Sequence, residues 1–230
     1  MLQYKNNIME IGLDEAGRGP LLGRVYAGAV IWPNNTEYEY IMDSKKLTSK
    51  KRQIAMKYIT DNIQYWGVGY ADEKEIDKIN ILNATKLAMD RAIENLLQKT
   101  NNTPVVHNLI IDGSGWDNKF KNYKVESIVK GDNLYYSIAA ASIIAKVVRD
   151  EEILRIGNKL DFQIGSGYPS DPITIIAVKK MITSEYPHDE LRWSWATTKN
   201  AWMKYHNKAI PIRDEINHLS WKKSFRNEIE

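Results

Sequence analysis

Four carboxylates carry the chemistry open to this sequence. Asp14 and Glu15 are adjacent and open Asp14-Glu15-Ala16-Gly17-Arg18-Gly19-Pro20, just after the strand-like Ile8-Met9-Glu10-Ile11. Asp112 and Asp132 each follow another strand-like run, and each has glycine beside it, in Asp112-Gly113 and Gly131-Asp132. Neighbouring residues of a strand point to opposite faces. Asp14 and Glu15 are therefore expected at a strand end or bulge, where both reach one site. Gly17 and Gly19 give the following turn its freedom and let main-chain N–H groups approach a ligand closely. If the strands lie side by side, the four acids meet at one edge of a sheet. They cannot all stay ionised at close range without cations, because each like charge raises the pKa of the others. A pair of Mg²⁺ ions resolves that repulsion, since Mg²⁺ takes hard oxygen ligands and shares its coordination with phosphate. Two such ions about 4 Å apart activate water on one side of a phosphodiester and stabilise the leaving oxygen on the other.

The elements that must hold these acids can be read in order. Residues 24–32 are rich in valine, alanine and isoleucine and read as a second strand, stopped by Pro33-Asn34-Asn35. Thr48 or Ser49 is placed to cap a helix running to about Asn62. Residues 64–71 alternate as a third strand, and the short connections favour antiparallel pairing of the first three. Leu82, Met89, Ile93 and Leu96/Leu97 predict one face of a helix, broken at Asn101-Asn102-Thr103-Pro104. Residues 107–112 and 123–129 predict the fourth and fifth strands, with parallel crossover connections. A helix runs from 134 to about 157, its first half apolar nearly all round, interrupted by Ser142, Lys146 and Arg149 along one face. A polar stripe on a buried helix must pair or face a cleft. Ser170-Asp171-Pro172 signals another helix start, with Ile173, Ile176, Ala177 and Met181 as its apolar face. Four late tryptophans (Trp193, Trp195, Trp202, Trp221) read as core of a C-terminal helical extension.

With 230 residues, 43% of them hydrophobic, the chain has enough length for one sizeable core and a small appendage. No apolar run reaches the roughly 18 residues of a membrane span. The first residues lack the apolar core of a secretory signal, and the absence of cysteine rules out disulfides and thiolate metal sites. An intracellular protein is expected, cytoplasmic or, in a eukaryote or virus, nuclear. The net charge of +3 is uninformative, but its distribution is not. Residues 43–57 hold six lysines and arginines against Asp43 alone, and residues 191–230 hold eight against four acids. Two basic segments around an acidic body suit phosphates on the patches and metals among the acids. A solvated charged surface is the plainer alternative.

Several ordered motifs make the resemblance specific. The segment Asp14-Glu15-Ala16-Gly17-Arg18-Gly19-Pro20 resembles the signature of ribonuclease HII, the type 2 ribonuclease H. Asp43-Ser44-Lys45-Lys46-Leu47, Asn80-Ile81-Leu82-Asn83-Ala84-Thr85 and Ala139-Ala140-Ala141-Ser142-Ile143-Ile144-Ala145-Lys146-Val147 match it in turn. Gly165-Ser166-Gly167-Tyr168-Pro169-Ser170-Asp171-Pro172 and Arg192-Trp193-Ser194-Trp195 look like the archaeal and eukaryotic branch. The bacterial pattern places a histidine shortly after the tyrosine, and none stands there. The resemblance runs from about residue 10 to about residue 200 and leaves the last thirty residues uncovered.

This resemblance implies an α/β fold: a five-stranded mixed sheet flanked by helices in a catalytic domain (1–185), with a C-terminal helical extension (186–230). It implies that Asp14, Glu15, Asp112 and Asp132 bind two divalent ions, Mg²⁺ or Mn²⁺. Gly17, Arg18 and Gly19 would read the ribose 2′-hydroxyl, with Tyr168 beside the sugar. Lys45, Lys46, Ser142 and Lys146 would contact phosphates. The 2′-hydroxyl is what separates RNA from DNA at a given position, and phosphate contacts set register without reading sequence. The expected activity is hydrolysis of RNA in RNA–DNA hybrids and 5′ of single ribonucleotides in duplex DNA, leaving 5′-phosphate and 3′-OH ends. Whether the chain acts alone or as a subunit of a larger assembly is left open.

Taken singly, these residues have blander readings. Asp112-Gly113 is a turn, and Asp132 a cap for the helix starting at Leu134. Ser142 bonds back to its own helix, Lys146 snorkels, and Lys45 and Lys46 are solvated. Tyr168 packs against its proline. Asp117, Asp150 and Asp171 are assigned structural roles, and His188 and His206 no catalytic one. Two rival functions remain: a DNA-directed two-metal nuclease on a similar fold, and a non-catalytic hybrid-binding module.

Overall fold

The computed structural model describes residues 9–98 and 108–213. The strands are β1 (Glu10–Ala16), β2 (Val25–Val30), β3 (Trp66–Ala71), β4 (Asn108–Asp112) and β5 (Lys124–Ile128). They form one sheet in the order β3-β2-β1-β4-β5. β1 pairs antiparallel with β2, and β2 with β3, while β4 pairs parallel with both β1 and β5. The expected mixed five-stranded sheet, antiparallel first and parallel later, is therefore present. The β4–β5 connection carries no helix. Trp116 and Phe120 pack into the core from it, and the Trp116 indole donates to the Asp112 carbonyl at 3.2 Å.

Five α-helices lie among the described residues: α1 (Ser49–Asn62), α2 (Glu73–Gln98), α3 (Tyr136–Leu160), α4 (Pro172–Met181) and α5 (Ala196–His206). Their starts follow local chemistry. The Thr48 hydroxyl accepts the Lys51 amide to cap α1, and the Asp171 carboxylate accepts the Ile173 amide ahead of Pro172 in α4. α2 packs on one face of the sheet, where Ala84, Ala88, Met89 and Leu96 meet Ile11, Leu13, Ala29 and Ile111. α1 and α3 cover the other, around Tyr26, Val30, Val68, Ile59, Ala140 and Ile144. A third cluster joins Leu21 and Leu22 to the end of α3, to α4 and to Trp202 of α5.

α3 approaches the sheet so closely that side chains are excluded. A Cβ on Gly12 would lie 2.4 Å from the Ser137 carbonyl carbon, and one on Gly28 2.3 Å from the Ala141 oxygen. That contact seats the following residue, Ser142, over β1.

Some expectations need correction. β1 runs through Ala16 because β2 continues the ladder to the pair Ala16↔Tyr26. Asp14 and Glu15 therefore lie inside the strand, not beyond its end. α2 bends at Asn80 (φ 66°), whose side chain accepts the amides of Leu82 and Asn83. Leu82 is exposed, as are Ile173 and Ile176 of α4. The rest of the expected faces is buried, Met89, Ile93 and Leu96 in α2, where Ala84 and Ala88 join them, and Ala177 and Met181 in α4. Trp193 and Trp202 are core, as expected. The break at 101–104, residues 214–230 of the extension and Trp221 lie outside the described residues.

Candidate active site

Three of the four acids converge. The parallel register pairs Leu13 with Ile111, so the next residues along, Asp14 inside β1 and Asp112 at the end of β4, stand side by side. Asp132 enters from a 3₁₀ turn, Gly131–Asn133, which follows Lys130 in a left-handed conformation (φ 58°). Carboxylate oxygens of Asp14, Asp112 and Asp132 lie within 4.8 Å of one another. The Gly131 amide donates to Asp112 Oδ1 at 2.7 Å and ties the turn to β4. Asp132 does not cap α3, whose N-cap is Tyr135 without a side-chain bond.

Glu15 stands apart from this trio, as its neighbouring place in β1 requires. Its Oε1 accepts Arg18 Nη1 at 3.1 Å, and its Oε2 is buried with no hydrogen-bond partner among the described residues.

The electrostatics are those of a site short of positive charge. Burial, then the charges of Glu15 and Asp112, push the Asp14 carboxyl well above the usual range, against hydrogen bonds from Ser142 and the Glu15 amide. Burial raises Glu15 as well, opposed by Arg18. Asp132 is raised by burial, Asp112 and Asp43. Burial alone would lower Lys45, but Asp132, Asp14, Asp43 and Asp112 overcome it and hold the ammonium charged. The clustered hard oxygen donors of Asp14, Asp112 and Asp132 fit a divalent cation.

The 43–47 motif docks against the acids. Asp43 Oδ1 accepts the Lys45 amide, and the Arg52 guanidinium holds the Ser44 and Leu47 carbonyls at 2.7 Å. Ser142, buried on α3, hydrogen-bonds Asp14 and meets Ser44 Oγ–Oγ at 3.0 Å. Asn133 is the hub. Its amide donates to Asp132 Oδ1 at 3.0 Å and Asp43 Oδ2 at 3.3 Å, and its oxygen accepts the Lys46 ammonium. Sequence reasoning passed over Asn133 and gave Asp43 no role. The only signals were their places beside Asp132 and within the lysine motif. Lys146 is ion-paired with Asp150 at 2.6 Å.

The 17–19 turn follows β1 directly. Gly17 has φ 94°, Arg18 is exposed, and the Tyr168 ring comes within 3.1 Å of where a Cβ on Gly19 would sit. The Leu21 amide donates to the Gly167 carbonyl, bringing the tyrosine loop to the turn. Arg149 lies over the Tyr168 ring at 5.0 Å. The buried Arg192 guanidinium donates to the Gly17 and Arg18 carbonyls within the turn and to those of Gly23 and Arg24 after it. A concavity of about 500 Å³ beside Asp77, Trp193 and Met203 includes none of the four acids.

The family model described as Ribonuclease HII matches residues 11–198. The chain belongs to the ribonuclease HII family. A ribonuclease HII of Rickettsia bellii is 48% identical over 157 residues, 68% of this chain and 74% of that protein. One of Bacteroides fragilis is 43% identical over 169 residues, 71% and 79% of the two chains. The crystal structure of the ribonuclease H2 of Pyrococcus horikoshii aligns with a TM-score of 0.71 at 28% identity, covering 87% of this chain and all of that one. As a ribonuclease HII the protein is a metal-dependent endonuclease, a hydrolase of the ribonuclease H type acting on RNA–DNA hybrids. Among its described residues no helix is long and apolar enough to cross a membrane.

Proposed function

We propose that this ribonuclease HII cuts the RNA strand of hybrids and also cuts 5′ of single ribonucleotides embedded in duplex DNA, leaving 5′-phosphate and 3′-OH ends. The observation that carries this reading is the meeting of Asp14, Asp112 and Asp132 beside a glycine turn lined by Tyr168. Asp14, Asp112 and Asp132 hold divalent metal, with Glu15 completing the set. Two ions, Mg²⁺ or Mn²⁺, would supply an activated water and charge stabilisation at the leaving oxygen.

The remaining roles belong to the chain itself. Asn133 and Ser142 fix the rotamers of Asp132 and Asp14, so that the carboxylates stay oriented when phosphate approaches. Lys45, kept charged by four acids, contacts the backbone phosphate next to the cut. Lys46 acts beside it, and Lys146 reaches a phosphate by exchanging Asp150 for it. The Gly17, Arg18 and Gly19 main chain meets the 2′-hydroxyl, and the Tyr168 ring packs against that sugar.

The test is product mapping on three duplexes of one sequence: all DNA, DNA with one ribonucleotide, and an RNA–DNA hybrid. Cleavage 5′ of the single ribonucleotide and within the hybrid, but not of all-DNA duplex, is expected. Equal cleavage of all three would mean that the 2′-hydroxyl is not read.

A further inference from the structure

Arg192 lies more than 160 positions along the chain from the 17–19 turn and is fully buried against it (0% exposed). Its Nε donates to the Gly23 carbonyl at 2.9 Å, and its Nη1 to Arg18 at 3.0 Å. Its Nη2 donates to Gly17 at 2.6 Å and to Arg24 at 3.2 Å. Arginine is almost never fully buried unless paired, and this one donates to main-chain carbonyls within the turn and just ahead of β2. Burial brings its pKa down to about 10, so the guanidinium is still charged at neutral pH.

The main chain around Arg192 is pinned on both sides. Its own amide donates to the Leu21 carbonyl, and Leu191 bridges Leu22. The Asp77 carboxylate of α2 accepts the amides of Trp193 at 2.9 Å and Ser194 at 2.8 Å. The planar fork is thus set before any ligand arrives, and its geometry cannot be reproduced by a lysine ammonium.

The consequence follows from peptide geometry. In a trans peptide the C=O and the next N–H point in opposite directions. Arg192 draws the Gly17 and Arg18 carbonyls into the interior. The amides of Arg18 and Gly19 must then face outward, on the side where Arg18 is exposed and the Tyr168 ring lies. Gly17, at φ 94°, is free to flip its peptide if nothing holds it.

We infer that Arg192 is a positioning residue for ribonucleotide recognition: it fixes the two peptide planes of the 17–19 turn with their N–H groups toward the sugar, without touching substrate. The inference rests on the reading above that this turn meets the 2′-hydroxyl.

The test uses full-length protein carrying Asp14→Asn, so that binding is read without cleavage. Affinity is measured for a DNA duplex with one ribonucleotide and for the same duplex in DNA alone. With Arg192 intact, the ribonucleotide duplex binds more tightly. Arg192→Lys lowers that ratio about tenfold, the equivalent of one or two misdirected hydrogen bonds, while all-DNA affinity stays within about twofold. A role confined to stability would weaken both duplexes together or neither. A folded Arg192→Lys variant with the ratio unchanged overturns the inference. No ribonucleotide preference with Arg192 intact overturns instead the reading of the turn. Should Arg192→Lys fail to fold, Asp77→Asn, which loosens residues 193 and 194, carries the test. It then lowers the ratio at least about threefold, and an unchanged ratio again counts against Arg192.

Discussion

Asp14 is held where its charge is least welcome. It is buried beside two other acids, and its carboxyl is pushed well above the ordinary carboxylate range. In the folded protein it keeps a proton that the unfolded chain releases. Its contribution to stability is therefore complete below the ordinary carboxylate range and declines as pH climbs from there through the raised folded value. Glu15 acts in the same direction. Asp14→Asn should accordingly stabilise the metal-free protein at neutral pH by about 1 kcal/mol, or 2–4 °C in Tm for a chain this long. The gain should vanish near pH 3.5, and Mg²⁺ should raise the Tm of the native sequence far more than that of the variant. A metal-free variant that melts below the native protein at pH 7 would refute this.

Asn133 orients Asp132 from the other side, so Asn133→Ala should keep the fold and lower cleavage about 10- to 100-fold. Lys46→Ala, which removes a peripheral phosphate contact and the outer contact of the hub but leaves Asn133 on Asp132, should do less. Cleavage rates at saturating metal check both. The acids were legible in the sequence because charge next to glycine at the close of a strand-like run is an unusual pattern. Asn133 and Arg192 were not, since an asparagine after an aspartate and an arginine among tryptophans have meaning only once distant segments meet.

At the scale of elements, the site depends on how closely α3 presses on β1 and β2. Gly28→Ala would place a methyl 2.3 Å from the Ala141 carbonyl oxygen. α3 must then retreat and draw Ser142 away from Asp14. The expected result is a loss of about 1–3 kcal/mol, together with slower cleavage; an unchanged Tm and rate would show that α3 does not set the position of Ser142.

Sequence patterns gave the number and pairing sense of the strands and the starts of α1 and α4, because alternation and capping are local. The end of β1 was misplaced because its last pairs depend on β2, not on its own residues. The faces of α2 and α4 were placed correctly at Met89, Ile93, Leu96, Ala177 and Met181, but periodicity also drew in large apolar residues that the fold leaves exposed. Leu82, Ile173 and Ile176 were left outside.

Across the whole molecule, the later part of the chain closes back on its beginning. Leu191 and Trp202 share a core with Leu21 and Leu22, and Arg192 holds the turn between β1 and β2. Removing residues 186–230 should therefore abolish stable folding rather than trim an appendage. Limited proteolysis and a thermal melt of the shortened chain decide this, and a cooperative melt near the native Tm would contradict it.

On the proposed reading, metal binding and sugar recognition lie within a few residues of each other on β1 and the turn after it. The most direct measurement is single-turnover cleavage of a DNA duplex carrying one ribonucleotide, with Mg²⁺, by the native protein and by Asp112→Asn. The native protein should cut 5′ of the ribonucleotide. The variant should be slower by about a thousandfold, or about 4 kcal/mol of transition-state stabilisation. A folded Asp112→Asn protein that turns over at the native rate would contradict the assignment of the site.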